Sequence, residues 1–200
     1  QLVLNFIKDN PNKSAIKLIR NDSIIAEKNP NKVMPLASTV KIILAIEYAI
    51  QSSEGNLNPN EEVSLEDLEK FYVSNTDGGA HPRWLRSVKE KVIDNKISIR
   101  EIAKGMIKYS SNANTEWLSQ KIGIENINKR IDTLGISDHT EFYYIVSALF
   151  VGKEKFPNLK GKELETKLKD LSIEDYIDVT NSIHSKLQKD TTYSRTTQVL

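Results

Sequence analysis

Ser38 and Lys41 stand three residues apart in the stretch Met34-Pro35-Leu36-Ala37-Ser38-Thr39-Val40-Lys41-Ile42-Ile43-Leu44-Ala45. Their types suit a nucleophile with its own base. A serine hydroxyl attacks a carbonyl only when something takes its proton, and a lysine amine does so once apolar surroundings lower its pKa. Pro35 marks a break, and Val40, Ile43, Leu44, Ile46 and Ile50 then recur at helical spacing. With Ser38 as N-cap or first-turn residue, Lys41 lies one turn on, on the same face. The first N–H groups of a helix have no partner inside it, and that of Ser38 would supply half of an oxyanion hole. The spacing itself is weak, since S-x-x-K turns up about once by chance in a chain of this length. A second copy, Ser14-Ala15-Ile16-Lys17, sits in a stretch that alternates like a strand. Only Ser38 opens an apolar helix.

A second polar group follows at Ser110-Ser111-Asn112, a hydroxyl and a carboxamide two residues apart. Helix capping explains the same residues without any chemistry, so on residue types alone both readings stand. Asp77 and His81 lie in Thr76-Asp77-Gly78-Gly79-Ala80-His81-Pro82, which its glycines and proline mark as a loop. We read them as turn residues. The three histidines, His81, His139 and His184, are far apart with no H-x-x-x-H pairing, and there is no cysteine. No metal site and no cofactor is therefore expected.

The elements that must position these residues are mostly helical. Leu2 to Ile7 reads as a short helix. Ser14–Arg20 and Ser23–Glu27 flank the turn pair Asn21-Asp22 as a β-hairpin. A long helix runs from Ser38 to about Gln51. Ser64 caps a short helix, with Asp67 three residues on. Ser98-Ile99-Arg100-Glu101 is a capping box for a helix ending at Tyr109. Ser110 to Glu116 reads as a loop that opens a helix through Trp117, Leu118 and Ile122, ended by Gly123. Glu125–Leu134 is a further helix, stopped by Gly135. Period alone does not decide the apolar run Phe142–Val151. Lys162–Leu171 and Ile173–Leu187 are amphipathic, and Thr191–Thr197 reads as the cap of one more helix.

Two hundred residues suffice for one domain with a real core, and 38% apolar with 28% charged residues describe an ordinary folded chain. A net charge of +1 offers no argument for a nucleic-acid partner. No apolar run approaches the ~20 residues that span a bilayer.

Taken together, the motifs and their order resemble the penicillin-recognising serine hydrolases, most closely the class A β-lactamase type. Met34–Lys41 is similar to that family's nucleophile motif. Ile97–Asn112 is similar to the helix leading into its S-x-N loop, with Ser111 in place of the usual middle aspartate. Ile122-Gly123 and Leu134-Gly135-Ile136 match the helix that follows. The resemblance covers most of the chain. It implies an α+β fold of the β-lactamase/transpeptidase kind, a helical lobe plus an antiparallel sheet, forming a single domain over residues 1–200. It implies Ser38 as acylated nucleophile, Lys41 as proton acceptor or relay, Ser110 as proton donor to the leaving nitrogen, and Asn112 as holder of the substrate's amide side chain. It further implies a small-molecule or peptide-like substrate and a secreted or cell-surface location. Two departures stand out. The family's E-x-x-x-N glutamate is matched only weakly, by Glu154–Asn158 and also by Glu27–Asn31 and Glu54–Asn58. Its K-T-G or K-S-G strand motif does not occur before Leu200. We therefore expect a chain truncated at its C-terminus, its hairpin lacking partner strands. A divergent or split form is the other option.

Overall fold

Asn21 and Asp22 both take positive φ, 47° and 61°, the pair of left-handed residues that a two-residue hairpin loop requires and that Asn and Asp tolerate. They follow α1 (Leu2–Asp9) and join β1 (Ile16–Arg20) to β2 (Ser23–Lys28). The strands run antiparallel, with Ile16 opposite Lys28 and a bulge between Leu18 and Ile19. The Asn29 side-chain amide closes the base of the hairpin, donating to the carbonyls of Pro11 (2.8 Å) and Ser14 (2.9 Å). The computed structural model describes residues 1–190, 192 and 193, and the chain divides into two compact units, 1–37 and 38–200. The S-x-x-K copy at Ser14 is structural. Ser14 is buried and donates to the Asn10 carbonyl at 2.8 Å, while Lys17 is exposed on β1.

In the second unit a 3₁₀ turn, Ala37–Val40, leads into α2 (Lys41–Ser53). Next come β3 (Glu62–Ser64), α3 (Leu65–Glu69), α4 (Ala80–Val88), β4 (Lys96–Ser98) and α5 (Ile99–Lys104). The order continues with α6 (Asn112–Ile122), α7 (Ile124–Thr133), α8 (Val151–Lys155), α9 (Gly161–Lys169) and α10 (Ile173–Lys189). β3 pairs antiparallel with β4, Val63 opposite Ile97. Among the described residues no helix is long and apolar enough to cross a membrane.

Helix α6 is the pillar. Every residue from Ala113 to Ser119 is buried, so its polar side chains must find partners inside the protein. Thr115 donates to the Ser111 carbonyl and Ser119 to that of Thr115, each at 2.7 Å. Around α6 pack Ile43 and Leu44 of α2, Leu68 of α3, Trp84 of α4, Ile102 of α5, Ile127 of α7 and Ile183 and Leu187 of α10.

Several expected boundaries move, each for a physical reason. The segment expected as a loop, Ser110–Glu116, is helical from Asn112 onward. Its polar residues serve a helix buried on all sides, not a solvated loop, and Ser111 is the N-cap, accepting from the Asn114 N–H at 3.3 Å. Within Thr76–Pro82, Ala80 already begins α4. The Asp77 carboxylate accepts from the N–H groups of Ala80 (3.0 Å) and His81 (2.9 Å), and Pro82 sits in the first turn, where its missing N–H costs nothing. Ser64 caps α3 as expected, through the Glu66 N–H. Ser98 makes no side-chain cap bond, and the Glu101 carboxylate, the other half of the expected capping box, pairs with Lys91 (2.9 Å) and Lys104 (2.8 Å). Of the cap expected at Thr191–Thr197, only Thr192 and Tyr193 fall within the described residues.

The apolar run Phe142–Val151 is neither helix nor strand at first, and becomes a 3₁₀ turn at Ser147–Phe150 before α8. Glu116, fully buried on α6, fixes it there. Its carboxylate accepts from the Val146 N–H (2.8 Å), the Ser147 N–H (3.3 Å), the Ser147 hydroxyl (2.5 Å) and His184 Nδ1 of α10 (3.0 Å). His184 is in turn stacked on Phe71 (5.0 Å) and on Tyr144 (3.6 Å). Burial, with the Glu116 charge adding to it, pushes the Tyr144 hydroxyl up to about 12. Replacing Glu116 by Ala would strand these buried donors. Urea unfolding of E116A is expected to show a loss of about 3 kcal/mol, and a loss under about 1 kcal/mol would refute the assignment.

Candidate active site

The π-helical turn Gly105–Tyr109 ends α5 and delivers the chain to Ser110, a non-glycine residue in the left-handed region at φ 66°. Wide turns of this kind re-aim side chains that a regular helix would carry past. The turn fits only because residue 105 is glycine. A Cβ there would lie 2.5 Å from Trp84 Nε1 and against the Asn114 amide. Trp84 Nε1 donates to the Glu101 carbonyl (3.2 Å) and Asn114 Nδ2 to that of Ile102 (3.1 Å), clamping the turn from two sides.

On the opposite wall, the 3₁₀ turn sets Ser38 at the surface and Lys41 inside, 2% exposed. Lys41 Nζ donates to the Ser110 carbonyl (2.8 Å), the Ser110 hydroxyl (3.0 Å) and Asn112 Oδ1 (2.8 Å). Those three acceptors match the three protons of an ammonium group. The Ser110 hydroxyl donates onward to Ser38 Oγ at 2.9 Å. All four residues singled out in the sequence, Ser38, Lys41, Ser110 and Asn112, thus meet in one hydrogen-bonded group within the second unit. The link from Ser38 to Lys41 runs through Ser110. Desolvation lowers the Lys41 pKa to about 8, against an opposing pull from the Asp77 carboxylate.

Sequence reasoning set aside two residues that the structure ties to this group. Asp77 contributes its charge at Lys41. His81 is fully buried, with Nδ1 2.9 Å from the Ser111 hydroxyl and Nε2 2.9 Å from Glu69 Oε1. Thirty residues separate His81 from Ser111, and no local pattern announces that they meet. The three E-x-x-x-N matches fare differently. Glu154 is bound by Lys186 and by the Tyr193 hydroxyl (2.7 Å), Glu54 accepts from Asn56, and Glu27 is exposed on β2. Among the described residues no cluster of three or more His, Asp or Glu side chains is placed to hold a metal ion.

With this geometry in view, comparisons with known proteins converge. No curated protein matches the chain significantly. A solved structure described as a representative of class A beta-lactamase from Bacteroides cellulosilyticus DSM 14838 superposes with a TM-score of 0.53 at 19% sequence identity, over 91% of this chain and 66% of that one. The present chain thus spans just under two thirds of that neighbour's length. A likeness at this identity concerns the fold, an α+β architecture of the β-lactamase kind with small antiparallel sheets and mostly helices. The family model Beta-lactamase2, described as the beta-lactamase enzyme family, matches residues 3–198, and the chain belongs to that family.

Proposed function

We propose that the protein is a serine hydrolase that forms an acyl-enzyme on Ser38 and cleaves a β-lactam or a related amide or ester. The observation that carries this reading is the row Ser38 Oγ, Ser110 Oγ, Lys41 Nζ, joined at 2.9 and 3.0 Å. With Lys41 as an ammonium, the row is polarised outward, each group donating toward Ser38. Loss of one proton from Lys41 gives its nitrogen a lone pair and reverses the row. Ser38 then donates to Ser110, and Ser110 donates to Lys41.

From that state Ser38 Oγ bonds to the substrate carbonyl carbon. Its proton moves to Ser110 as the Ser110 proton moves to Lys41. The oxyanion forms beside the N–H of Ser38 in the first residues of the 3₁₀ turn, where helical donors have no partner inside the helix. As the C–N bond breaks, Ser110 returns a proton to the leaving nitrogen and is itself reprotonated by Lys41. Asn112 turns its oxygen to Lys41, which leaves the amide N–H₂ to donate to a substrate carbonyl.

A second reading has an observation of its own. Glu154, matched by the family's deacylation pattern, is engaged by Lys186 and Tyr193, which favours a slow second step and a penicillin-binding receptor of the same fold. Intact mass spectrometry separates the two. A reporter penicillin is expected to add its mass once per chain, with the adduct absent from Ser38→Ala. An adduct that survives S38A removes the proposal. Decay of the adduct within minutes favours the hydrolase, and persistence over hours the receptor.

The reaction should also read the Lys41 proton. Because the neutral amine is the acceptor, labelling is expected to rise about tenfold per pH unit and to level off above about 8. Asp77 raises the Lys41 pKa, so Asp77→Asn should move the inflection to lower pH. A flat profile between pH 6 and pH 9 would contradict Lys41 as the base.

A further inference from the structure

The row Glu69–His81–Ser111 runs from a half-exposed carboxylate through a buried ring to the buried hydroxyl between Ser110 and Asn112, and its hydrogen-bond inventory bears on where the protons lie. Asn114 Nδ2 donates to the Ile102 carbonyl at 3.1 Å, which fixes the amide with Oδ1 toward Ser111 at 3.0 Å. An amide oxygen only accepts, so the Ser111 hydroxyl donates to it. Ser111 Oγ has then spent its proton and accepts from the Asn114 N–H (3.3 Å) and from His81 Nδ1–H (2.9 Å). On the other side of the ring, Nε2 faces the Glu69 carboxylate at 2.9 Å, another group that only accepts. With Glu69 ionised, both partners of the ring are then acceptors.

We propose that His81 is a doubly protonated positioning residue. Paired with Glu69, it holds the Ser111 hydroxyl toward Asn114 and so sets the left-handed turn at Ser110 that presents Ser110 and Asn112 to Lys41. The inference rests on the acyl-enzyme reading only for its consequence in labelling. The ring is enclosed by Tyr72, stacked at 4.8 Å, and Trp84 at 5.3 Å. Charged groups on the adjoining segments are Asp77, which caps the helix of His81, and Lys41, which is bonded to the Ser110 carbonyl. Glu69 is the half-exposed end, with 44% of its side chain open to water, so the row connects solvent to the core of the turn.

The same inventory defines what removing a proton does. A neutral His81 beside a carboxylate keeps its hydrogen on Nε2. Nδ1 then turns a lone pair to Ser111, and the Ser111 hydroxyl must swing away from Asn114 to donate to it. Glu69→Gln removes this preference. The Gln amide can donate to a bare Nε2, and a neutral ring with its hydrogen on Nδ1 satisfies every partner.

Long-range ¹H–¹⁵N spectra of the full chain at neutral pH test the assignment without any substrate. Wild type is expected to show both His81 nitrogens protonated, and E69Q only Nδ1. A single protonated nitrogen in wild type, on either side of the ring, overturns the proposal. Labelling of Ser38 by a reporter penicillin then reads the positioning role. His81→Ala is expected to slow it about tenfold, the loss typical of one hydrogen bond to a charged group. His81→Gln, which can still donate to Ser111, should recover most of the rate if both variants keep the wild-type circular dichroism. Equal slowing in the two folded variants would overturn the positioning role. Absence of labelling in wild type would overturn the acyl-enzyme reading, while the spectra would still decide the protonation of His81.

Discussion

One buried amine organises the site. Lys41 is almost without solvent contact, and burial of a charge is tolerated only where every proton finds an acceptor. All of its acceptors come from one short piece of chain, the carbonyl and hydroxyl of Ser110 and the amide oxygen of Asn112. The demand for three oxygens around one nitrogen therefore dictates the backbone there. Ser110 must take a left-handed conformation that serine avoids, and the helix before it must widen into a π turn around Gly105. The same desolvation that makes Lys41 costly to charge brings its pKa near neutrality. Strain, burial and reactivity are three faces of one arrangement.

Helix α6 carries that arrangement into the rest of the fold. Its first turn bears Asn112 and is capped by Ser111, and its middle holds Asn114, Thr115 and Glu116 with no access to water. Polar residues inside a core give little net stability, but each accepts only one geometry. Asn114 fixes α5, and Glu116 fixes both the chain around Val146 and helix α10. The pillar thus sets the height of the S-S-N turn relative to α2 through hydrogen bonds, where apolar packing alone would permit sliding.

The sequence made some of this legible and hid the rest for identifiable reasons. The hairpin was readable because Asn21-Asp22 is local turn chemistry, and α7 and α10 because their apolar stripes face one way. Ser38 and Lys41 were readable as one turn of helix, though that helix starts as a 3₁₀ turn. Their partnership with Ser110 and Asn112 was suggested only by resemblance, since about seventy residues intervene. The start of α6 was misread because Ser-Ser-Asn-Ala-Asn-Thr-Glu has the composition of a loop. Composition does not reveal whether polar groups face water or one another. His81 was dismissed for the same reason, its partners Glu69 and Ser111 being supplied by elements that meet only in the folded chain.

The hairpin of residues 16–28 has a property of its own. Leu18, Ile19, Ile24 and Ile25 are each about half exposed, so apolar side chains emerge from both faces of the ribbon. A strand pair with one greasy and one wet face is held in alignment by burial, because a slip by one residue would turn its core outward. Within the unit of residues 1–37 neither face is buried deeply enough to give that safeguard. The ribbon's alignment is written in the conformations of Asn21 and Asp22 and in the bulge beside Leu18. Exchange of one apolar residue for another along its strands therefore changes little, whereas a β-branched residue at either turn position would put every cross-strand pair at risk of slippage together.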